Sequence, residues 1–389
     1  MAARSPAGAD TRQRRDVQGL RALAVLLVIA NHAGVPGLAG GYVGVDVFFV
    51  ISGYVITQLL LRESAKSLGA GLTDFYSRRV RRIVPAASLT LIATALAAQA
   101  VLGPQVDPNL PGDLRWASLF TANLRLIRTG SDYFVPGIHP SLITQFWSLA
   151  VEEQFYLVYP LLAFLVIRAV DARYKVQALA ATVAAGVVAS AWWSAHLTAL
   201  QPTHAYYSPL TRFWELGLGC LLALTTTGRP IRTVRAEHLT AVVGVVLLGV
   251  ALASLDARSA YPGTLAWLPC GASALLLWSG RAGARTPVAR ILSCGPLVYL
   301  GDISYSLYLT HYLWLKLPEV VTPPMTGAGW RIVELAGTFV TAAASYHLIE
   351  NPIRRSPALA RDRVATVFLL LVCITAVWLT AGVVAHVGF

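Results

Sequence analysis

Val17-Gln18-Gly19-Leu20-Arg21-Ala22-Leu23-Ala24-Val25-Leu26-Leu27-Val28-Ile29-Ala30-Asn31-His32 is the first apolar run of the chain, and it contains one cation and one imidazole. Arg21 and His32 are eleven residues apart, close to three helical turns. At 100° per residue their side chains diverge by only about 20°, and at 1.5 Å per residue they are separated by about 16 Å along one stripe. A cation and an imidazole on one face of a membrane-spanning helix are costly unless that face lines a polar cavity. The run therefore predicts a transmembrane helix with a functional face.

The rest of the chain repeats the pattern. Hydrophobic residues make up 56% of its 389 residues and charged residues 13%. A soluble domain is typically about a quarter charged. Apolar runs recur along the whole length, which predicts an all-α, polytopic integral membrane bundle of about 10–11 transmembrane helices. The spans fall at roughly 17–35, 40–61, 83–102, 147–167, 177–197, 209–226, 238–255, 263–280, 296–315, 328–349 and 364–386. With a cytoplasmic N-terminus, 23 Lys and Arg lie on the inner side, 5 on the outer side and 3 within spans. That asymmetry supports this orientation and places the C-terminus outside. The net charge of +12 sits in short connections between spans, which argues against nucleic acid as a partner.

Residues 1–16 read as a disordered, basic cytoplasmic tail, 17–355 as the membrane domain and 356–389 as an additional C-terminal transmembrane helix. The first apolar segment is too long for a cleaved signal peptide and reads as retained. The longest connection, 103–146, is expected on the outer face. Trp116, Phe120 and Tyr133 either lay part of it along the interface or send 114–128 partway into the membrane. Cys220, Cys270, Cys294 and Cys373 show no metal-type spacing, so neither a disulfide framework nor a metal is expected.

Several polar residues inside the spans could carry chemistry. Asp46 follows Gly40, Gly41 and Gly44, which permit close helix approach, and the hairpin after His32 is short. Asp46 is therefore expected either to orient the His32 ring, as a carboxylate does for a general base, or to pair with Arg21 for folding alone. The stretch Ser77-Arg78-Arg79-Val80-Arg81-Arg82 is the densest basic cluster. Arg78 with Arg81, or Arg79 with Arg82, would share a helical face suited to phosphate, although any cytoplasmic loop is expected to be basic. Glu152 and Glu153 point about 100° apart, so one of them, taken as Glu153, is expected to face a cavity. Ser304, Tyr308 and His311 form a polar stripe at i, i+4, i+7, and Ser52 is a further wall residue. Glu350 is expected to pair with cytoplasmic arginines, and the remaining histidines read as incidental.

Taken in order, these segments resemble the membrane acyltransferase-3 family of bacterial O-acyltransferases over about 16–355. They are Arg21-(ten residues)-His32, Gly44-Val45-Asp46 with Phe48 to Gly53, Arg78 to Pro85, Trp147 to Tyr156, Ser304 to His311, and Glu350-Asn351-Pro352-Ile353-Arg354. The resemblance implies transfer of an acyl group, acetyl foremost, from acyl-CoA to a hydroxyl of a cell-surface glycan or glycolipid by a multi-pass protein of the inner (plasma) membrane. It implies an essential Arg21–His32 pair, and engagement of the CoA phosphates by Arg78, Arg79, Arg81 and Arg82. Gln145 stands where the family often has His. Many relatives continue into an outer SGNH-type domain. This chain ends at Phe389, so the expectation is that a separate extracytoplasmic relay protein completes any such step.

The expected site is one transacylation cavity with Arg21 on the donor, His32 as general base, Asp46 orienting it, and Glu153 with Ser52 completing the wall. An acyl-histidine or acyl-serine intermediate is a variant of this scheme. Two alternatives stand beside it. One is an acyltransferase for a small secondary metabolite such as a macrolide. The other is a non-enzymatic transporter of acyl groups or lipid-linked sugars.

Overall fold

Apolar runs broken by short basic or Gly/Pro connections fold as helices because each helix satisfies its own backbone hydrogen bonds in hydrocarbon. The computed structural model describes residues 14–63, 67–134, 141–226, 233–283, 285–321, 324–325 and 327–387, and no strand occurs among them. The helices are α1 (Arg15–His32), α2 (Gly44–Glu63), α3 (Leu68–Leu102), α4 (Leu110–Ser118), α5 (Ala122–Thr129), α6 (Phe146–Ala169), α7 (Lys175–Leu200), α8 (Pro202–Tyr207) and α9 (Pro209–Thr226). They continue with α10 (Val234–Ser254), α11 (Trp267–Ser279), α12 (Pro287–Leu292), α13 (Gly295–Asp302), α14 (Ser304–Val320), α15 (Ala328–Ser345), α16 (Asn351–Arg355), α17 (Pro357–Arg361) and α18 (Arg363–Val387).

Among the described residues, seven helices are long and apolar enough to cross a membrane. The other predicted spans fall on α1 and α9, which carry buried charges, on the 13-residue α11, and on α13–α14, which breaks at Ile303. The chain is a polytopic helical membrane bundle.

Small residues set its tightest contacts. A Cβ on Gly44 would collide with the Ala24 carbonyl, and one on Gly41 with the Leu27 carbonyl, so α2 and the turn before it lie directly on α1. On another face of α2, Gly53 abuts the Leu216 carbonyl while Gly219 of α9 abuts the Val50 carbonyl. The helix α2 is thus clamped between α1 and α9.

Two sequence expectations are corrected at the basic end. Of the tail expected to be disordered, residues 1–13 lie outside the described residues, as do Lys66, His139, Arg229 and Arg232. Arg14 and Asp16 are folded. They pair with each other, and Arg14 donates to the Leu277 carbonyl at 2.8 Å and the Tyr54 hydroxyl at 2.7 Å. The basic loop before residue 83 is helical: Ser67 caps α3 by accepting from the Ala70 N–H. Its charges mask a periodicity that tertiary packing stabilises.

Candidate functional site

α1, α2, α3, α6 and α14 enclose a cavity of about 820 Å³, counting its mouth, near the arginine-rich end. Arg21, Ser52, Arg79, Arg82, Glu152 and Glu153 line it. Ser304 and Tyr308 form its α14 wall. Arg79 and Arg82 are one turn apart on α3, so both guanidinium groups face the same opening. Arg79 also lies over the Tyr156 ring, 4.3 Å from its centroid. Arg78 and Arg81 point elsewhere: Arg78 pairs with Glu63 at 2.5 Å, and Arg81 donates to the Leu359 carbonyl at 2.7 Å. Of the four arginines expected to hold phosphate, two line the cavity and two tie α3 to its neighbours.

Glu152 and Glu153 both line this cavity, which corrects the expectation that only one could. The space wraps around α6, and residues 100° apart both reach it. Glu152 Oε1 accepts from the Ser52 hydroxyl at 2.5 Å and from the Tyr156 hydroxyl at 2.5 Å. Glu153 Oε1 and Ser304 Oγ are buried without a hydrogen-bond partner, so the cavity presents an unused acceptor and an unused hydroxyl.

His32 is not in this cavity. It forms the floor of a wide vestibule at the opposite end of the bundle, which Asn31, Tyr133, Tyr207, Tyr312 and Lys316 also line. Its protonation follows from its partners. His311 Nδ1 lies 2.7 Å from the Tyr308 carbonyl, and only an N–H can bond to that oxygen. His311 Nε2 is therefore the acceptor facing His32 Nδ1 at 2.9 Å, so His32 Nδ1 carries the proton. His32 Nε2 is left with a lone pair, and it accepts from the Tyr133 hydroxyl at 2.7 Å. Burial holds the Tyr133 phenol well above the ordinary tyrosine range, which keeps it a donor. That lone pair therefore meets a tyrosine that itself lines the vestibule.

The single passage expected from Arg21 to His32 is in fact two compartments. On the stripe between them, α1 carries Val25 and Val28, both fully buried. Phe48 packs at 6.2 Å, edge to face, against Tyr308, whose hydroxyl meets Ser148 Oγ at 2.5 Å and donates to the Gln145 carbonyl at 3.0 Å. Gln145 Nε2 donates to the Leu309 carbonyl at 3.1 Å, so this side chain fastens α6 to α14. Tyr308 belongs to both compartments: its ring caps the inner cavity and its carbonyl fixes His311.

Asp46 neither orients His32 nor pairs with Arg21. Gly44 faces α1, and Asp46, two residues and about 200° further round the helix, faces α9 instead. There it pairs with Arg212 at 3.1 Å, and Arg212 pairs with Glu215 at 3.0 Å. All three are fully buried, with the guanidinium about 5.5 Å from the ring centroids of Phe49, Trp147 and Tyr261. Asp46, Glu215 and Cys270 bring their ligand atoms within 4.8 Å of one another, beside that cation. His311, expected only as a wall residue, is the side chain that bonds to His32 Nδ1. Glu350 accepts from Ser306 at 2.9 Å.

Sequence reasoning missed Glu152 as the Ser52 partner, Tyr133 as the His32 partner, and the Arg212–Glu215 pair. Arg212 and Glu215 left a legible signal, since two ionisable residues at i, i+3 within a span are seldom incidental. Tyr133 left none: it reaches His32 from across the connection expected to lie along the interface.

The sequence model of the acyltransferase-3 family, described as an acyltransferase domain, matches residues 14–350. The chain is 31% identical over 350 residues to the peptidoglycan O-acetyltransferase OatA of Listeria monocytogenes, covering 87% of this chain and 56% of that protein. It is 30% identical over 351 residues to the O-acetyltransferase OatA of Staphylococcus aureus, covering 87% of this chain and 57% of that protein. The chain spans about half the length of the curated relatives it matches. No solved structure matches it.

Proposed function

The chain belongs to the acyltransferase-3 family, and from that membership we propose that it is an integral-membrane O-acyltransferase moving an acetyl group from acetyl-CoA to a hydroxyl of a cell-envelope glycan. The donor enters the inner cavity from the cytoplasmic, arginine-rich face of the plasma membrane. Arg79 and Arg82 supply paired guanidinium forks for its phosphates, and Arg21 supplies a deeper cation for the thioester carbonyl. The acceptor enters the vestibule, whose lining includes the polar side chains of Asn31 and Lys316.

The observation that carries this reading is the aim of the His32 lone pair. A neutral imidazole, held by His311 and carrying its lone pair at Nε2, takes the proton of an attacking hydroxyl once the Tyr133 hydroxyl swings aside. General-base help of this kind contributes typically 10²–10⁴-fold. The layer of Phe48, Tyr308 and Ser148 must part for acyl group and acceptor to meet.

Two cavities at opposite ends of the bundle also suit a carrier that makes no bond. Incubation of the purified protein with labelled acetyl-CoA and a glycan oligomer separates the two readings. An acetyl ester on the oligomer with stoichiometric free CoA thiol supports the transferase. Absence of both, with the label merely bound, supports the carrier and ends the transferase reading.

A further inference from the structure

The inner cavity holds a serine hydrogen-bonded to a carboxylate, and the separation of the compartments gives that pair a task. Ser52 Oγ donates to Glu152 Oε1 at 2.5 Å, and the same oxygen accepts from the Tyr156 hydroxyl, which fixes the carboxylate in place. A nucleophile, a base within hydrogen-bond reach and a third group orienting the base is the arrangement that activates hydroxyls for acyl transfer. Ser52 is eight residues into α2, about 12 Å from its first residue. The next residue, Gly53, is pressed against the α9 backbone, so the backbone carrying the hydroxyl is held firmly. Arg21 lines the same cavity, where a cation can meet an oxyanion. The other two cavity serines lack these features. Ser148 is engaged with Tyr308, and Ser304 has no partner.

We propose that Ser52 is acylated by the donor thioester, with Glu152 as its base, so that transfer runs through an acyl-serine formed in the inner cavity. This rests on the acyltransferase reading above. Ser52 Oγ attacks the thioester carbonyl carbon, its proton passes to Glu152, the C–S bond breaks and the proton leaves with CoA as free thiol. The acetyl group stays on Ser52 as an oxygen ester. When the Tyr308 layer opens, the acceptor hydroxyl attacks that ester, His32 takes its proton, the bond to Ser52 Oγ breaks, and the proton held by His32 passes to the Ser52 oxygen, so that His32 ends neutral, Ser52 as a free hydroxyl and Glu152 as a carboxylate. CoA departs before the layer opens, so the enzyme never joins its two faces around a bound thiol.

The test uses the purified full chain in lipid nanodiscs with acetyl-labelled acetyl-CoA and no acceptor, followed by denaturation and peptide mapping. The expected result is one hydroxylamine-sensitive acetyl per chain on the Ser52 peptide, released to glycan when acceptor is added. Ser52→Ala loses the label, while its CoA affinity stays within twofold of wild type, which shows the cavity is intact. Glu152→Gln slows labelling by about 10²–10⁴-fold. Acetyl found on Tyr156 or His32, or a labelled Ser52→Ala, overturns the proposal. So does glycan ester formed by wild type with no acyl-enzyme detected, and that outcome leaves the acyltransferase reading standing. Neither label nor ester overturns both.

Discussion

Replacing His311 with Leu removes the acceptor that holds the proton on His32 Nδ1, and leaves the Tyr133 side of the ring untouched. The lost bond joins two neutral groups, so its net worth is about 0.5–1.5 kcal/mol. At about 1.4 kcal/mol per tenfold in rate, acyl transfer should fall by about 2- to 13-fold. His32→Ala removes the proposed base itself and should cost about 10²–10⁴-fold. Because His311 acts only through His32, the double variant should be no slower than His32→Ala alone. The assay is the initial rate of ester formation by purified protein at saturating donor, with the unfolding midpoint of each variant measured as a control for folding. A His311→Leu loss as large as that of His32→Ala in a folded protein would refute the reasoning, because His311 would then take part in the chemistry directly. A double variant slower by the product of the two single effects would also refute it.

The arginine cluster should divide by face. Arg79→Ala and Arg82→Ala should each weaken CoA binding about 10- to 150-fold, the worth of a charge-assisted hydrogen bond of about 1.5–3 kcal/mol, as read by calorimetry. Arg78→Ala and Arg81→Ala should leave CoA affinity within a fewfold and lower the unfolding midpoint instead, because their partners are Glu63 and the Leu359 carbonyl. Arg212→Met strands Asp46 and Glu215 without their cation and should destabilise the protein by about 3–5 kcal/mol, visible as loss of folded protein on extraction. Gly219→Val drives a side chain into the Val50 carbonyl and should cost about 1–3 kcal/mol or more in unfolding experiments, with the separation of α2 and α9 increased.

Much of the architecture is legible in the sequence because hydrocarbon imposes one solution on long apolar runs. Each expected span falls on a helix or, at residues 296–315, on the α13–α14 pair. What a single helix cannot report is what its neighbours insert between its polar residues. Arg21 and His32 do share a stripe, yet Val25 and Val28 fill it, and Phe48 and Tyr308 from other helices complete the division. Val25 and Val28 were readable in α1 alone; the contribution of Tyr308 was not. Asp46 shows the same limit. Its distance from Gly44 implies that it turns away from α1, but only the packing of α9 supplies Arg212. The arginine cluster offered two pairs at equal spacing, and the burial of α3 against α6 and α14 decides between them. His311 was visible as a polar residue, while its role depends on the Tyr308 carbonyl, a backbone atom that carries no sequence signal.

The central claim is that donor and acceptor approach from opposite faces of the membrane. Proteoliposomes with protein of one orientation test it directly, with acetyl-CoA supplied on the arginine-rich face and glycan acceptor on the His32 face, and then with both on one face. Ester formed only in the opposed arrangement is the expected result. Ester formed equally well with both substrates on one face, and none across the bilayer, would contradict it.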